Sequence, residues 1–304
     1  MLRPLVLKVA EHRWSETLAT RTRPGRAVAS RFVAGVTLEE AMRVAGELDR
    51  KRTTAMLDFL GENVRTRQQA ESARAAYLAA LSAIDRASAL DCAISLKLTQ
   101  LGLDISVDEC LRAVEPILEE AARTGTVVMI DMESVGYVDP TLRVLREARA
   151  RYPTVGVALQ SYLRRTTRDV DALPVGTRVR LVKGAYLEPP EVVFTSKREV
   201  DASYARLFTT LLARGHAVDV ATHDPRLLEG VRRRVDASGS GWSRVEFQML
   251  YGVRRDLQDR YAGQGYPVRV YVPYGTEWYP YLTRRLAERP ANVWFFLSNL
   301  LRLK

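Results

Sequence analysis

Eight short apolar runs recur along the chain, each followed by a stretch with helical periodicity. They are TTAMLDFLGE (53–62), AISLKL (93–98), TVVMID (126–131), TVGVALQ (154–160), TRVRLVK (177–183), AVDVAT (217–222), RVEFQML (244–250) and VRVYV (268–272). Strand-like runs alternating with helical ones are the arithmetic of an α/β fold with parallel strands, and eight such units predict a (β/α)8 barrel of the TIM type. A doubly wound open sheet has the same periodicity, because periodicity does not show closure. Ahead of the first strand, residues 1 to about 50 read as helical. Pro24-Gly25 breaks that segment, and Thr37-Leu-Glu-Glu40 is a capping box opening AMRVAGELDRKR. The expected organisation is an N-terminal helical segment, 1–50, and a catalytic barrel, 51–304.

The strand ends carry polar groups where the strand bodies are apolar. In order they are Asp58 and Glu62, Lys97, Asp131 and Glu133, Gln160, Arg180 and Lys183, Thr222 and His223, Gln248, and Tyr271. Capping explains one or two of these. All eight together predict a site at the carboxyl mouth of a barrel, where such folds build their chemistry. The densest stretch is TRVRLVKGAY (177–186), in which a strand ends in Arg, Lys and a glycine turn, followed by Tyr186. Taken alone, that segment also fits a strand capped by solvated Arg and Lys.

Between Glu277 and Arg289, EWYPYLTRRLAER reads as a final helix with Pro280 near its start. Tyr281, Arg284, Arg285 and Glu288 fall at i, i+3, i+4 and i+7 and share one face. Such a face fits a solvent surface laced with Arg–Glu pairs. It fits equally a helix looking down into the site, where two adjacent guanidiniums suit a carboxylate or phosphate. The closing run NVWFFLSNL packs that helix down or forms a ninth strand.

Composition narrows the functional classes. No run reaches the roughly 18–20 apolar residues of a membrane span, and the N-terminus does not read as a signal peptide. Cys92 and Cys110 read as buried thiols of a cytosolic protein, and the three histidines form no metal set with them. The net charge of +10, from 46 Lys and Arg against 36 Asp and Glu, points to an anionic partner. The arginines follow helical patterns without interleaved aromatics, which argues against nucleic acid. No GxGxxG follows a strand, so a Rossmann cofactor domain is not expected.

The motifs RFVAGVTLEEAM, SLKLTQLG, IDMES, LQSYLRRT, RLVKGAY, ATHD, EFQMLYG, VYVPYG and YLTRRLAER, in this order, resemble the proline dehydrogenase family. That family includes one-domain enzymes and the matching domain of bifunctional proline-utilisation proteins. The resemblance implies a distorted (β/α)8 barrel with a final helix over its mouth, and FAD as cofactor. It implies oxidation of L-proline to Δ1-pyrroline-5-carboxylate by hydride transfer from proline C5 to flavin N5, with electrons passed to a membrane quinone. Carried over, it makes Arg284 and Arg285 the carboxylate clamp, assisted by Lys97 and supported by Glu288. Asp131 and Met132 lie at the flavin, and Tyr186, Leu250, Tyr271 and Tyr281 wall the substrate pocket. Glu62 pairs with Arg284 as a gate. Gln160, Arg180, Val182, Lys183, Gly184, Ala185, Thr222, His223 and Gln248 are the flavin contacts, with Thr195 and Lys197 at its phosphates.

Ser161 departs from the alanine frequent in the family, and the loop VPYGTEWYP falls in a variable region. The resemblance further implies a cytoplasmic protein in peripheral contact with the inner face of the membrane, and a separate pyrroline-5-carboxylate dehydrogenase for the next oxidation. Two rivals remain on the residues alone. One is a Schiff-base aldolase using Lys183 or Lys97 at a strand end. The other is a basic, non-catalytic module for RNA or a membrane surface, which predicts salt-dependent binding and no cofactor.

Overall fold

The structure, a computed structural model, describes residues 29–61 and 64–288, with side chains as far as Thr283. Eight parallel strands close into a barrel in sequence order. They are β1 Thr54–Phe59, β2 Cys92–Leu96, β3 Val128–Ile130, β4 Val155–Gln160, β5 Arg178–Val182, β6 Ala217–Ala221, β7 Val245–Leu250 and β8 Val268–Tyr274. The ring is sealed by β1 against β8, with Thr54 opposite Arg269 and Phe59 opposite Tyr274. This closure excludes the open sheet.

The helices are α1 Leu38–Asp49, α2 Arg67–Arg86, α3 Val107–Thr124, α4 Val138–Arg149, α5 Thr166–Asp171, α6 Lys197–Ala213, α7 Pro225–Ser238, α8 Arg255–Gly263 and α9 Trp278–Glu288. Their starts follow the sequence cues. Thr37 caps α1 by accepting from Glu40 N at 3.3 Å, and Glu40 Oε2 accepts from Thr37 N at 3.0 Å. Ser106 caps α3 by accepting from Glu109 N at 3.1 Å. Between β4 and β5 the crossover helix is only the six-residue α5.

Strand alternation sorts the core. Leu57, Ile94, Leu96, Val128, Ile130, Val157, Val179, Leu181, Val218, Val220, Phe247, Val270 and Val272 all belong to one buried cluster with the helices. Fully burying such a side chain contributes roughly 1.5–3 kcal/mol. The hydrophobic stabilisation is therefore concentrated in the shell between strands and helices. The alternate residues point inward, and many of those are polar.

Two helices adapt the barrel to its site. α1 lies against β1 and β8 and covers the seam where the ring closes. α9 leaves the outer ring: Trp278, Tyr281 and Leu282 pack with Leu60 and with Ala29, Phe32 and Val33. Two backbone bonds, Ala34 N to the Pro273 carbonyl at 2.9 Å and Gly275 N to the Gly35 carbonyl at 3.1 Å, tie this layer to the end of β8. The helix over the mouth is thus present. Glu62, residues 1–28 and the run 292–300 lie outside the described residues.

Candidate active site at the barrel mouth

A cavity of about 760 Å3 opens at the carboxyl end of the strands, within the roughly 300–1,000 Å3 of small-molecule and cofactor sites. Its floor is a charged cluster drawn from four strands. Lys97, just past β2, sends Nζ to Asp58 Oδ1 at 2.5 Å, to the Tyr271 hydroxyl at 3.1 Å and to Asp131 Oδ2 at 3.2 Å. Tyr271 donates to the same Asp131 oxygen at 2.7 Å. Lys97, Asp131 and Tyr271 all line the cavity, while Asp58 lies behind Lys97 and is fully buried.

The two carboxylates on Lys97 are pushed in opposite directions. Burial raises Asp58 to about 6 against the attraction of Lys97. Burial also opposes the ionisation of Asp131, but Lys97 and Arg180 outweigh it and hold that carboxyl below its ordinary value. Burial, with the Asp131 charge beside it, raises the Tyr271 phenol well above its usual value, so Tyr271 stays a donor at neutral pH.

Arg180, inward from β5, spans the lumen. Its Nη1 donates to Asp131 Oδ1 and, at 3.0 Å, to Ser95 Oγ; its Nε donates to Gln248 Oε1 at 2.8 Å; and its Nη2 meets Met56 Sδ. The guanidinium carbon stands 5.1 Å from the Tyr271 ring centroid, a cation–π contact. This charge lines the bottom of the cavity and is held there almost fully buried, deeper than a strand-end arginine exposed to solvent.

The rim carries the second pair of cations. Lys183 Nζ binds Asp201 at 2.6 Å and Asp224 at 2.9 Å, and Lys197 Nζ binds Asp224 at 2.8 Å and also Asp201. Asp224 caps α7 through Arg226 N at 3.0 Å. Burial opposes its ionisation, and the bonds from Lys197 and Lys183 pull it far below the carboxylate range. His223 accepts the Leu250 N–H on Nε2 at 3.0 Å, which assigns its proton to Nδ1. Gly184 has φ +124, and a Cβ there would stand 2.2 Å from the Tyr162 ring, so this turn at the cavity wall requires glycine.

Among the predicted residues, Met132, Gln160, Val182, Lys183, Gly184, Ala185, Tyr186, Lys197, Thr222, His223, Gln248, Leu250 and Tyr281 line the same cavity. Thr195 does not. Arg284, Arg285 and Glu288 stand on α9, and their side chains lie beyond those described. Glu133 is used in the scaffold: it accepts from Thr99 N at 3.1 Å and from the Thr99 hydroxyl at 2.7 Å. Asp58 was expected only among the strand-end polar groups, without its pairing to Lys97. Asp201 and Asp224 were not expected, although Asp224 stands in ATHD directly before Pro225, where a helix cap is favoured. Among the described residues no cluster of His, Cys, Asp and Glu is placed to hold a metal ion, and no helix is long and apolar enough to cross a membrane.

The donor set suits a dinucleotide. Lys183 and Lys197 at the rim match a pyrophosphate, Gln160, Gln248, Thr222 and His223 supply hydrogen-bonding groups, and Arg180 places a positive charge under the floor.

Residues 41–297 match the family described as "Proline dehydrogenase". The chain is 38% identical over 275 residues to "Proline dehydrogenase 1" of Bacillus subtilis subsp. natto, covering 90% of this chain and 91% of that protein. It is also 38% identical over 308 residues to "Proline dehydrogenase" of Deinococcus radiodurans, covering 99% and 98%. Among solved structures, it is similar to proline utilization A of Bdellovibrio bacteriovorus, inactivated by N-propargylglycine, with a TM-score of 0.81 and 26% identity. That likeness covers 87% of this chain and 33% of the longer one.

Proposed function

Because the chain belongs to the proline dehydrogenase family, we propose that it oxidises L-proline to Δ1-pyrroline-5-carboxylate with FAD, and that the electrons pass to a membrane quinone. The observation that carries this reading is the cavity floor. Lys97, Asp131 and Tyr271 form one hydrogen-bonded surface with Arg180 beneath it, at the mouth of a closed barrel. When bound, FAD supplies the hydride acceptor.

This chain's residues do the rest by holding and orienting. Lys183 and Lys197 would hold the cofactor's phosphates, and Gln160, Thr222, His223 and Gln248 would hold its polar edges. The Tyr271 phenol, kept protonated, and the Lys97 ammonium offer donors at the floor. Tyr281 on α9 lines the cavity, and Arg284 and Arg285 follow it by three and four positions, one helical turn on. Positions so spaced share one side of a helix, and in this proposal Arg284 and Arg285 are the clamp for proline's carboxylate, with Glu62 as its gate. Proline is small, so fixing its carboxylate fixes the ring.

Both candidate Schiff-base lysines are ion-paired, Lys97 with Asp58 and Asp131 and Lys183 with Asp201 and Asp224. Each amine is thus engaged by two carboxylates and is not placed in apolar surroundings to attack a carbonyl, which opposes the aldolase reading. With a net charge of +10, the protein meets anionic lipid at the cytoplasmic face of the membrane to reach its quinone, and its product passes to a separate pyrroline-5-carboxylate dehydrogenase. The test is the visible spectrum of the purified protein before and after anaerobic addition of L-proline. A flavin spectrum that bleaches is expected. A colourless protein that stays inert to proline after reconstitution with FAD overturns the reading.

A further inference from the structure

At and below the cavity floor the lumen holds a set of buried polar groups, of which Arg180 and Gln248 line the cavity and Glu246 and Arg269 do not. Arg269 on β8, Glu246 and Gln248 on β7, and Arg180 on β5 are each no more than 8% exposed. They form a single hydrogen-bonded line. Arg269 Nε donates to Glu246 Oε1 at 2.9 Å, Gln248 Nε2 donates to that same oxygen at 2.9 Å, and Arg180 Nε donates to Gln248 Oε1 at 2.8 Å. Arg269 is anchored at the far end by Nη1 bonds to the Ala55 carbonyl and to Asp91, both at 3.0 Å.

The line has a direction. A salt-bridged carboxylate only accepts hydrogen bonds, a guanidinium only donates, and a primary amide does one at each end. Glu246 therefore takes the NH2 end of Gln248, which leaves the Gln248 carbonyl toward Arg180. An amide at position 246 offers a donor as well as an acceptor, so Gln248 loses the constraint. Turned over, its NH2 would oppose the Arg180 Nε–H, donor against donor.

We propose that Glu246 is a positioning residue, which orients Gln248 and through it aims the Arg180 guanidinium at the cavity floor. The proposal rests on the reading of the cavity as a flavin and proline site. Glu246 and Arg269 do not line that cavity, so their influence on the reaction runs through Gln248 and Arg180.

Glu246→Gln, which is isosteric, tests it in the purified protein. FAD content should be unchanged. Flavin reduction at saturating L-proline should slow about tenfold, the value of one hydrogen bond to a charged group, with KM for proline within about threefold. The Arg180 Nε–H signal in 15N spectra should exchange with solvent about tenfold faster or more. The swap Glu246→Gln/Gln248→Glu keeps the net charge and restores the direction, because the amide at 246 donates to a carboxylate at 248 that offers Arg180 only acceptors. It should bring back slow Nε–H exchange. Residue 248 also faces the cavity, so exchange and not rate is the readout for the swap.

Wild-type reduction and wild-type exchange in Glu246→Gln overturn the proposal, as does a swap that leaves exchange fast. Should Glu246→Gln fail to fold, the swap decides by the same measurement. A wild-type protein that proline does not bleach refutes the functional reading instead, and Arg180 exchange still decides the hydrogen-bonded line.

Discussion

At mid-height in the barrel lumen, strands β1 to β4 present Met56, Ala93, Met129, Gly156 and Ala158, whereas β5 to β8 present Arg178, Arg180, Asp219, Glu246 and Arg269. The first wall is fitted by shape. The second is fitted by charge: Arg178 meets Asp219 at 2.8 Å and Glu246 at 3.4 Å, and Arg269 meets Glu246 at 2.9 Å. Buried ion pairs are weak contributors to stability, because desolvation offsets most of their attraction. Asp219 illustrates this, since burial raises its carboxyl to about 6 in spite of Arg178. A charged wall in a barrel is therefore better explained by what it reaches than by what it stabilises. It runs up through Gln248 and Arg180 to Asp131, and the apolar wall leaves the space into which Arg180 extends.

The largest expected effect comes from breaking the charged wall at its base. Arg269→Met removes one partner of a buried pair and leaves Glu246 with Arg178 as its nearest cation. Loss of one partner in such a pair costs about 3–5 kcal/mol. Urea unfolding of the variant measures this. A loss below about 1 kcal/mol would show that Arg178 alone balances Glu246 and that the wall is less coupled than its distances imply.

The sequence shows this wall only in part, for a physical reason. Alternation in TRVRLVK, AVDVAT and RVEFQML marks strands correctly, and the eight runs yielded the barrel. In a soluble sheet the polar half of such alternation faces water. Here the apolar half faces the helices and the polar half faces the lumen, so Arg178, Asp219, Glu246 and Arg269 look like solvated positions until closure is known. Polar residues at strand ends were legible because Lys97, Asp131, Gln160 and Tyr271 interrupt or terminate apolar runs. The pairing of Lys97 with Asp58 was not legible, because it depends on which strands become neighbours across β1 and β2.

A smaller effect tests where the two walls meet. Lys97 is shared by Asp58 and Asp131, but only Asp131 also touches Arg180 of the charged wall. Asp58 is raised from 3.8 to about 6, first by burial. Its folded state thus binds the proton earlier than the unfolded chain does, and the associated stability is present below pH 3.8 and lost as pH rises through about 6. Asp131 is lowered, so its contribution is present above the ordinary carboxylate value and lost as pH falls through the folded one. Relative to Asp58→Asn, the wild type should gain stability on acidification through that window. Relative to Asp131→Asn it should lose stability in acid. Urea midpoints for the three proteins from about pH 2 to 7 check this, and parallel slopes for the two variants would mean that contact with Arg180 does not separate the carboxylates.

The smallest effect probes the apolar wall, where fit replaces charge. A Cβ at Gly156 would stand 2.4 Å from Met129 Sδ and 2.6 Å from the Arg178 carbonyl oxygen. The thioether is a flexible end and can move; the carbonyl belongs to β5, whose register against β4 pairs Val157 with Val179. Gly156→Ala should therefore cost about 1–3 kcal/mol as overpacking, and Met129→Leu alone less than about 1.5 kcal/mol as a near-isosteric swap. Leucine ends one atom sooner, which removes the Cε contact at 2.9 Å but leaves a carbon at the depth of Sδ, so the double variant should be less damaged than the sum, by about 0.5 kcal/mol. It should not recover fully, because the carbonyl contact remains. Strict additivity would mean that Met129 does not fill the space left by Gly156. Full recovery would mean that β5 yields, in which case the rigid boundary between the two walls lies elsewhere than at the β4–β5 ladder.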